Sequence, residues 1–199
     1  MKSHLTRVVV LIGFSLSITS LSTAIAAESK NKAHEKEAMA IVQEFAGTLK
    51  PQLKAALKSG GPAHAVNVCS VIAPTIATGL SAKTGWQVKR VSLKARNNKS
   101  ALPDAWEKEI LQQFDQRQQN GKSVKTMSHS ETVGGEFRFM KAQGIEPVCL
   151  KCHGPVVDPS VEAALNAKYP FDLARGYQLG QVRGAFSLVK DLEQMQESK

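Results

Sequence analysis

Cysteine is scarce in this chain: Cys69, Cys149 and Cys152 are the only three among 199 residues. Cys149 and Cys152 form one close pair, and there is no second. That excludes a zinc site built from two paired motifs. The chain also lacks internal repeats, long low-complexity tracts and linkers, so its length accommodates one ordinary domain. Acidic residues are in the minority, 17 against 26 lysines and arginines, for a formal charge of +9. The excess is no nucleic-acid footprint, because lysines alternate with acids in ESKNKAHEKEA (28–38). A basic surface in solvent accounts for it; the same field suits an acidic redox partner or the carboxylates of a bound cofactor.

The first residues stand apart. MKSHLTRVVVLIGFSLSITSLSTAIAA places Lys2 and Arg7 in front and an uncharged run from Val8, with Ala24-Ile25-Ala26 as an A-x-A cleavage site. This three-part pattern predicts a secretory signal peptide over 1–26 or 1–27 and a mature domain over 27–199. The protein is therefore expected in the periplasm or otherwise exported. Ser15, Ser17, Thr19, Ser20, Ser22 and Thr23 weaken the second half of the run as a membrane anchor, and membrane contact is expected only if the segment is retained. Cleavage removes two basic residues and no acid, which leaves +7.

In the mature part, Met39, Val42, Ala46, Leu49, Leu53 and Leu57 recur at helical steps, with Pro51 expected to kink or divide the helix. Gly60-Gly61 ends it. A second helix is predicted from Pro62 to about Leu80, with Val66, Cys69, Ala73, Ile76 and Leu80 on one stripe and a kink at Pro74. TGWQVKRVSL (84–93) reads as a strand, with Trp86, Val88 and Arg90 on one face. Asp104 caps a helix carrying Trp106, Ile110, Leu111 and Phe114. SVKTMSHSETV and EFRFMKA, joined by Gly134-Gly135, read as a β-hairpin with Phe137 and Phe139 on one face. A loop with the cysteine pair follows, then a short helix opened by Asp158-Pro159. The final strand is QVRGAFSLV, with Val182, Gly184, Phe186 and Leu188 on one face. The order predicts an α+β domain, a small antiparallel sheet with helices packed on it.

Cys149-Leu150-Lys151-Cys152-His153 is C-x-x-C-H, the c-type haem attachment signature. Two thiols at this spacing reach the two vinyl groups on one edge of the ring, and His153 follows to supply an imidazole nitrogen to the iron. One motif predicts one covalent haem c. The alternatives are a thiol–disulfide protein or a zinc-binding protein using Cys149 and Cys152, with Cys69 or His129 completing a zinc set. Pro147 and Gly154-Pro155 place the motif in a loop, against a thioredoxin-type dithiol at a helix start.

Cys69 is then left without a thiol partner. It is either a buried, inert side chain or the iron ligand opposite His153. From position alone the distal ligand is open between Cys69, Met127 and His129, with Met140 and His64 also near. His34 lies in a charged helix start and is expected in solvent. Lys89, Arg90, Lys94, Arg96, Arg138 and Arg183 are candidate partners for haem propionates.

Four segments carry a resemblance: AVNVCSVIAPTIA (65–77), RVSLKARNNKSALPDAWE (90–107), EFRFMKAQGIEPVCLKCHG (136–154) and GYQLGQVRGAFSLV (176–189). Together they resemble a family of single-haem c-type cytochromes with a PAS-like fold, also found as haem sensor modules. Asn98 stands where that family usually has proline. The resemblance implies His153 and Cys69 as the axial metal ligands and Cys149 and Cys152 as the haem attachment points. It further implies low-potential electron transfer or redox sensing, with a redox partner protein or a signalling protein. The alternative it implies is a gas sensor for nitric oxide or carbon monoxide in which Cys69 is displaced. Six-coordination and the lack of a distal acid/base pair predict a carrier or sensor rather than an enzyme. With no output domain after Lys199, a stand-alone member is expected.

Overall fold

The structure, a computed structural model, describes the backbone of residues 19–193 and the side chains of residues 28–193. The expected export segment, 1–26, lies outside the side chains so described. The first element, α1 (Thr19–Thr84), has non-helical backbone only at Gly60 and Gly61, where Gly61 takes φ 72°. Glycine tolerates this left-handed value at no steric cost, and the break folds the chain into two arms. Pro51 and Pro74 lie inside the arms without dividing them, so the predicted division at Pro51 does not occur. Lys83 meets Glu44 at 2.7 Å across the arms.

The sheet holds β1 (Gln87–Val91), β2 (Ser128–Val133), β3 (Glu136–Gly144) and β4 (Val182–Asp191) in the order β1-β4-β3-β2. Each pairing is antiparallel. Gly134 and Gly135, both at positive φ, close the β2–β3 hairpin, as the twist of paired strands favours. The fold is α+β, as the sequence predicts.

Both sheet faces are covered. On one, α1 contributes Ala38, Ile41, Val42, Phe45, Ala73 and Leu80 against Trp86, Val88, Phe137, Phe139, Phe186 and Leu188. His34 belongs to this side: its ring lies 5.1 Å from Phe137 and 6.3 Å from Trp86, which corrects the expectation of a solvent position. On the other face, α2 (Ala105–Gln119) sets Ile110, Leu111 and Phe114 against Val91, Met127, Met140, Ala142, Val182 and Ala185. Asp104 and Glu107 form a capping box at the start of α2. The fully buried Glu107 also accepts from Ser187 of β4 at 2.6 Å and from Lys89 of β1 at 3.0 Å. Cap, helix and sheet are thereby joined at one carboxylate.

The alternation of β4 is broken, and this corrects the sequence reading. Gln143 pairs with Gly184 but Gly144 pairs with Val182, so Arg183 is an extra residue in the ladder. A bulge reverses the facing of what precedes it. Val182 therefore joins the α2 side, while Phe186 and Leu188 stay on the α1 side. The cysteine motif also departs from the predicted loop. A 3-10 turn (Pro147–Cys149) runs into a single helical turn, α3 (Leu150–His153), and α4 (Pro159–Lys168) follows.

Gly184 admits β1 beside this bulge, because a Cβ there would press into the Val91 carbonyl oxygen. Backbone cannot swing aside as a side chain does. Gly184→Ala should destabilise the protein by at least the ~1–3 kcal/mol typical of overpacking, read as a lower urea midpoint. An unchanged midpoint would show that β1 and β4 part freely here.

Candidate functional site

Cys69, Cys149, Cys152 and His153 line one cavity of about 830 Å³ between α1, the β1–β4 edge of the sheet and the turn α3. Its volume lies within the range of small-molecule and cofactor sites, roughly 300–1,000 Å³. Val42, Phe45, Ala46, Leu49 and Leu53 from the first arm of α1 and Val66, Ala73 and Ala77 from the second form apolar walls. The helical stripes read from the sequence thus serve two purposes. Met39, Ile76 and Leu80 pack on the sheet, Leu53, Leu57, Val66 and Cys69 face the cavity, and Val42 does both.

The rival distal candidates lie elsewhere. Met127 and Met140 are fully buried on the α2 side of the sheet. His129 packs 5.8 Å from Trp106, and His64 is exposed. Cys69 alone among these candidates is on the cavity. The three cysteines are free, and no group of three or more His, Cys, Asp and Glu among the described residues is placed to hold a metal ion.

His153 is held from several sides. Its Nδ1 lies 2.8 Å from the Ala174 carbonyl oxygen and 3.1 Å from Arg183 Nε. Its Nε2 lies 3.4 Å from Arg96 Nη1. A neutral imidazole has one proton to place. On Nδ1 it satisfies the carbonyl, the closer of the two groups, and leaves the Nε2 lone pair for a metal; we assign that tautomer, in which the Arg183 N–H beside Nδ1 is a close charge and not a hydrogen bond. A metal at Nε2 would replace the Arg96 contact, the longest that guanidinium makes. Burial, then the charges of Arg183 and Arg96, hold the His153 pKa well below its ordinary value, so the ring is neutral, as a ligand must be. The turn is closed by Gly154, whose N–H donates to Leu150 O at 3.0 Å and where a Cβ would sit 2.6 Å from that oxygen.

The basic candidates separate. Lys89, Arg90, Arg96 and Arg183 line the cavity, while Lys94 lies on a smaller one of about 280 Å³. Arg138 is committed to Asp104 and the Trp106 ring, away from the site. Arg96 is spent on protein groups: Asp172 at 3.2 Å, the Cys152 carbonyl and the Ala174 carbonyl at 3.3 Å. Arg90 stacks 5.3 Å over Phe45, and no carboxylate among the described residues pairs with it. Burial raises the Cys69 pKa, against the lowering pull of Arg90 and Arg96. Burial likewise lowers that of Arg183 to about 10, which leaves it charged at neutral pH.

Asp172 was missed in the sequence, because nothing periodic marks a residue in an irregular loop 76 positions from its partner Arg96. The site is an α+β pocket with two thiols and an imidazole on one turn and a third thiol on the facing helix. The chain belongs to the Tll0287-like family, whose model matches residues 21–190. Among solved structures it is similar to that of the cyanobacterial heme-protein Tll0287, with a TM-score of 0.61 and 23% identity. The match covers 77% of this chain and 91% of that one, and at this identity it establishes the fold. No curated protein matches.

Burial by itself raises the Asp172 pKa. The Arg96 charge, the Ala174 N–H and the bonds from Arg96 and Arg175 outweigh it and hold the carboxyl below its ordinary value. A depressed carboxylate contributes stability that is complete above the unfolded value, about 3.9, and lost as pH falls through the folded one. Asp172→Asn should therefore cost ~3–5 kcal/mol at neutral pH, the range for breaking a buried ion pair. The deficit should shrink below about pH 4. Denaturant titrations across pH check this; a deficit constant into acid would deny the ionic role.

Proposed function

We propose that the protein is an exported mono-haem c-type cytochrome that transfers single electrons at low potential. The observation that carries this reading is the convergence of Cys149, Cys152, His153 and Cys69 on one largely apolar cavity. Cys149 and Cys152 would hold the haem covalently. His153 and Cys69 would hold its iron, which would supply a one-electron couple. The unprotonated Nε2 of His153 and the apolar walls fit such a group. Arg90, with no acidic partner among the described residues, fits a propionate better than Arg96, which is occupied. Membership of the Tll0287-like family and the structural likeness to a heme-protein support the same cofactor. The sheet, in which the first strand joins the end of a three-stranded meander, supports a PAS-like description.

The chain's own residues prepare the site. The Ala174 carbonyl orients His153 and fixes its tautomer. The two arms of α1 and Phe186 line the cavity with apolar side chains. A thiolate from Cys69 would favour ferric over ferrous iron and lower the potential. A second reading, redox or gas sensing with Cys69 displaced, draws on one observation: Cys69 is half-buried on the cavity wall, where burial favours its neutral thiol over a thiolate.

The test is expression of the full chain with haem-maturation machinery. One haem per chain, resistant to acid extraction, with a low-spin optical spectrum is expected. Cys69→Ser should keep the covalent haem and change the spin state. A parent without covalent haem would return the three cysteines to thiol or zinc chemistry. A Cys69→Ser spectrum matching the parent would remove Cys69 as a ligand.

A further inference from the structure

Arg183 is the residue that the β4 bulge inserts, and its guanidinium meets the imidazole on the side away from Nε2. Its Nε lies 3.1 Å from His153 Nδ1. Its Nη1 donates to Ser92 Oγ at 2.9 Å and to the Lys94 carbonyl at 3.3 Å. Ser92 is buried and donates in turn to the Arg183 carbonyl at 2.8 Å. The Tyr177 ring lies 5.6 Å from the guanidinium and gives it a cation–π neighbour. Every one of these contacts is neutral. Arg96, Arg138 and Arg175 each have a carboxylate partner, and Arg183 has none among the described residues.

We propose that Arg183 is a positioning residue that sets the reduction potential: a fixed cation, with no carboxylate in contact among the described residues, held against the imidazole that would bind the iron. The inference rests on the haem reading and deepens it. Two groups act on Nδ1 in opposite senses. The Ala174 carbonyl accepts the Nδ1 proton's hydrogen bond, which would make the imidazole a stronger donor and favour ferric iron. The Arg183 charge opposes that donation and favours the state that has gained an electron, because an unscreened charge at this range acts strongly in a buried site. The bound iron would supply the couple, gaining one electron from a one-electron reductant. No bond to Arg183 forms or breaks, and no proton is required. The bulge is what holds the charge there, since regular alternation would turn residue 183 to the other face.

Spectroelectrochemical titration of the holoprotein tests it, with Arg183→Gln and Arg183→Lys beside the parent. Arg183→Gln should retain the six-coordinate low-spin spectrum and shift the midpoint to more negative potential; Arg183→Lys, which keeps the charge, should recover much of the shift. A merely structural role would alter the spectrum and would not separate Lys from Gln. Should Arg183→Gln fail to fold, Ser92→Ala releases Nη1 and should shift the midpoint the same way by less. Haem-loaded variants with an unmoved or raised midpoint overturn this inference and leave the cytochrome reading intact. A parent with no covalent haem overturns both.

Discussion

One guanidinium, that of Arg96, ties the site together. It reaches the Cys152 carbonyl on the motif turn, Asp172 and the Ala174 carbonyl on the loop after α4, and the edge of His153 itself. Ala174 then orients His153 through its carbonyl, and the Ala174 N–H donates to Asp172 at 2.9 Å. Segments distant in sequence are closed into one ring around a single side chain. Arginine suits this work, because its planar fork offers five donors at fixed angles and stays charged. Lysine could not reach four acceptors with one ammonium.

The ring is costly as well as specific. Burying an ion pair costs several kcal/mol per ion in desolvation, roughly what the attraction returns. The Arg96–Asp172 pair is better understood as fixing geometry than as a surplus of stability. The cavity wall carries a further imbalance: Arg90 and Arg183 bring charge, and no carboxylate among the described residues pairs with either. Arginine bears such contact with an apolar wall better than lysine, since the guanidinium is more weakly hydrated. A group carrying negative charge, a thiolate or a pair of carboxylates, would answer it. The excess of basic residues read in the composition is thus not all surface; part of it faces inward.

Much of this was legible beforehand, for identifiable reasons. The two arms of α1, the cap at Asp104 and the hairpin at Gly134-Gly135 follow from period and turn chemistry, which are local. Cys69 lay on a readable stripe, although the stripe could not say whether it faced sheet or cavity. The bulge at Arg183 was not legible. An inserted residue shows itself only against the partner strand, and period-2 reading of β4 alone carried Val182 to the wrong face. The helical turn at 150–153 was hidden because four residues are too few for any periodicity. His34 was misjudged from its charged neighbours, when its own ring packs on Trp86 and Phe137.

The apolar content of α1 closes the argument about what the fold is shaped around. Between Glu28 and Thr84 it contains an 18-residue window of mean hydropathy 1.5, of which 22% is buried. By length and composition such a helix could cross a membrane. The arms instead fold back on each other and on the sheet, and their unburied apolar residues are in good part those that line the cavity. Burying apolar surface is worth about 25 cal/mol for each Å², so the part of this wall that is still accessible is surface a ligand can cover. A flat, mostly apolar group held between the arms and the motif turn would bury it. Stability and cofactor binding would then be linked, because whatever binds the folded state alone stabilises it. The helix that offers Cys69 would be ordered by the group that Cys69 is proposed to bind.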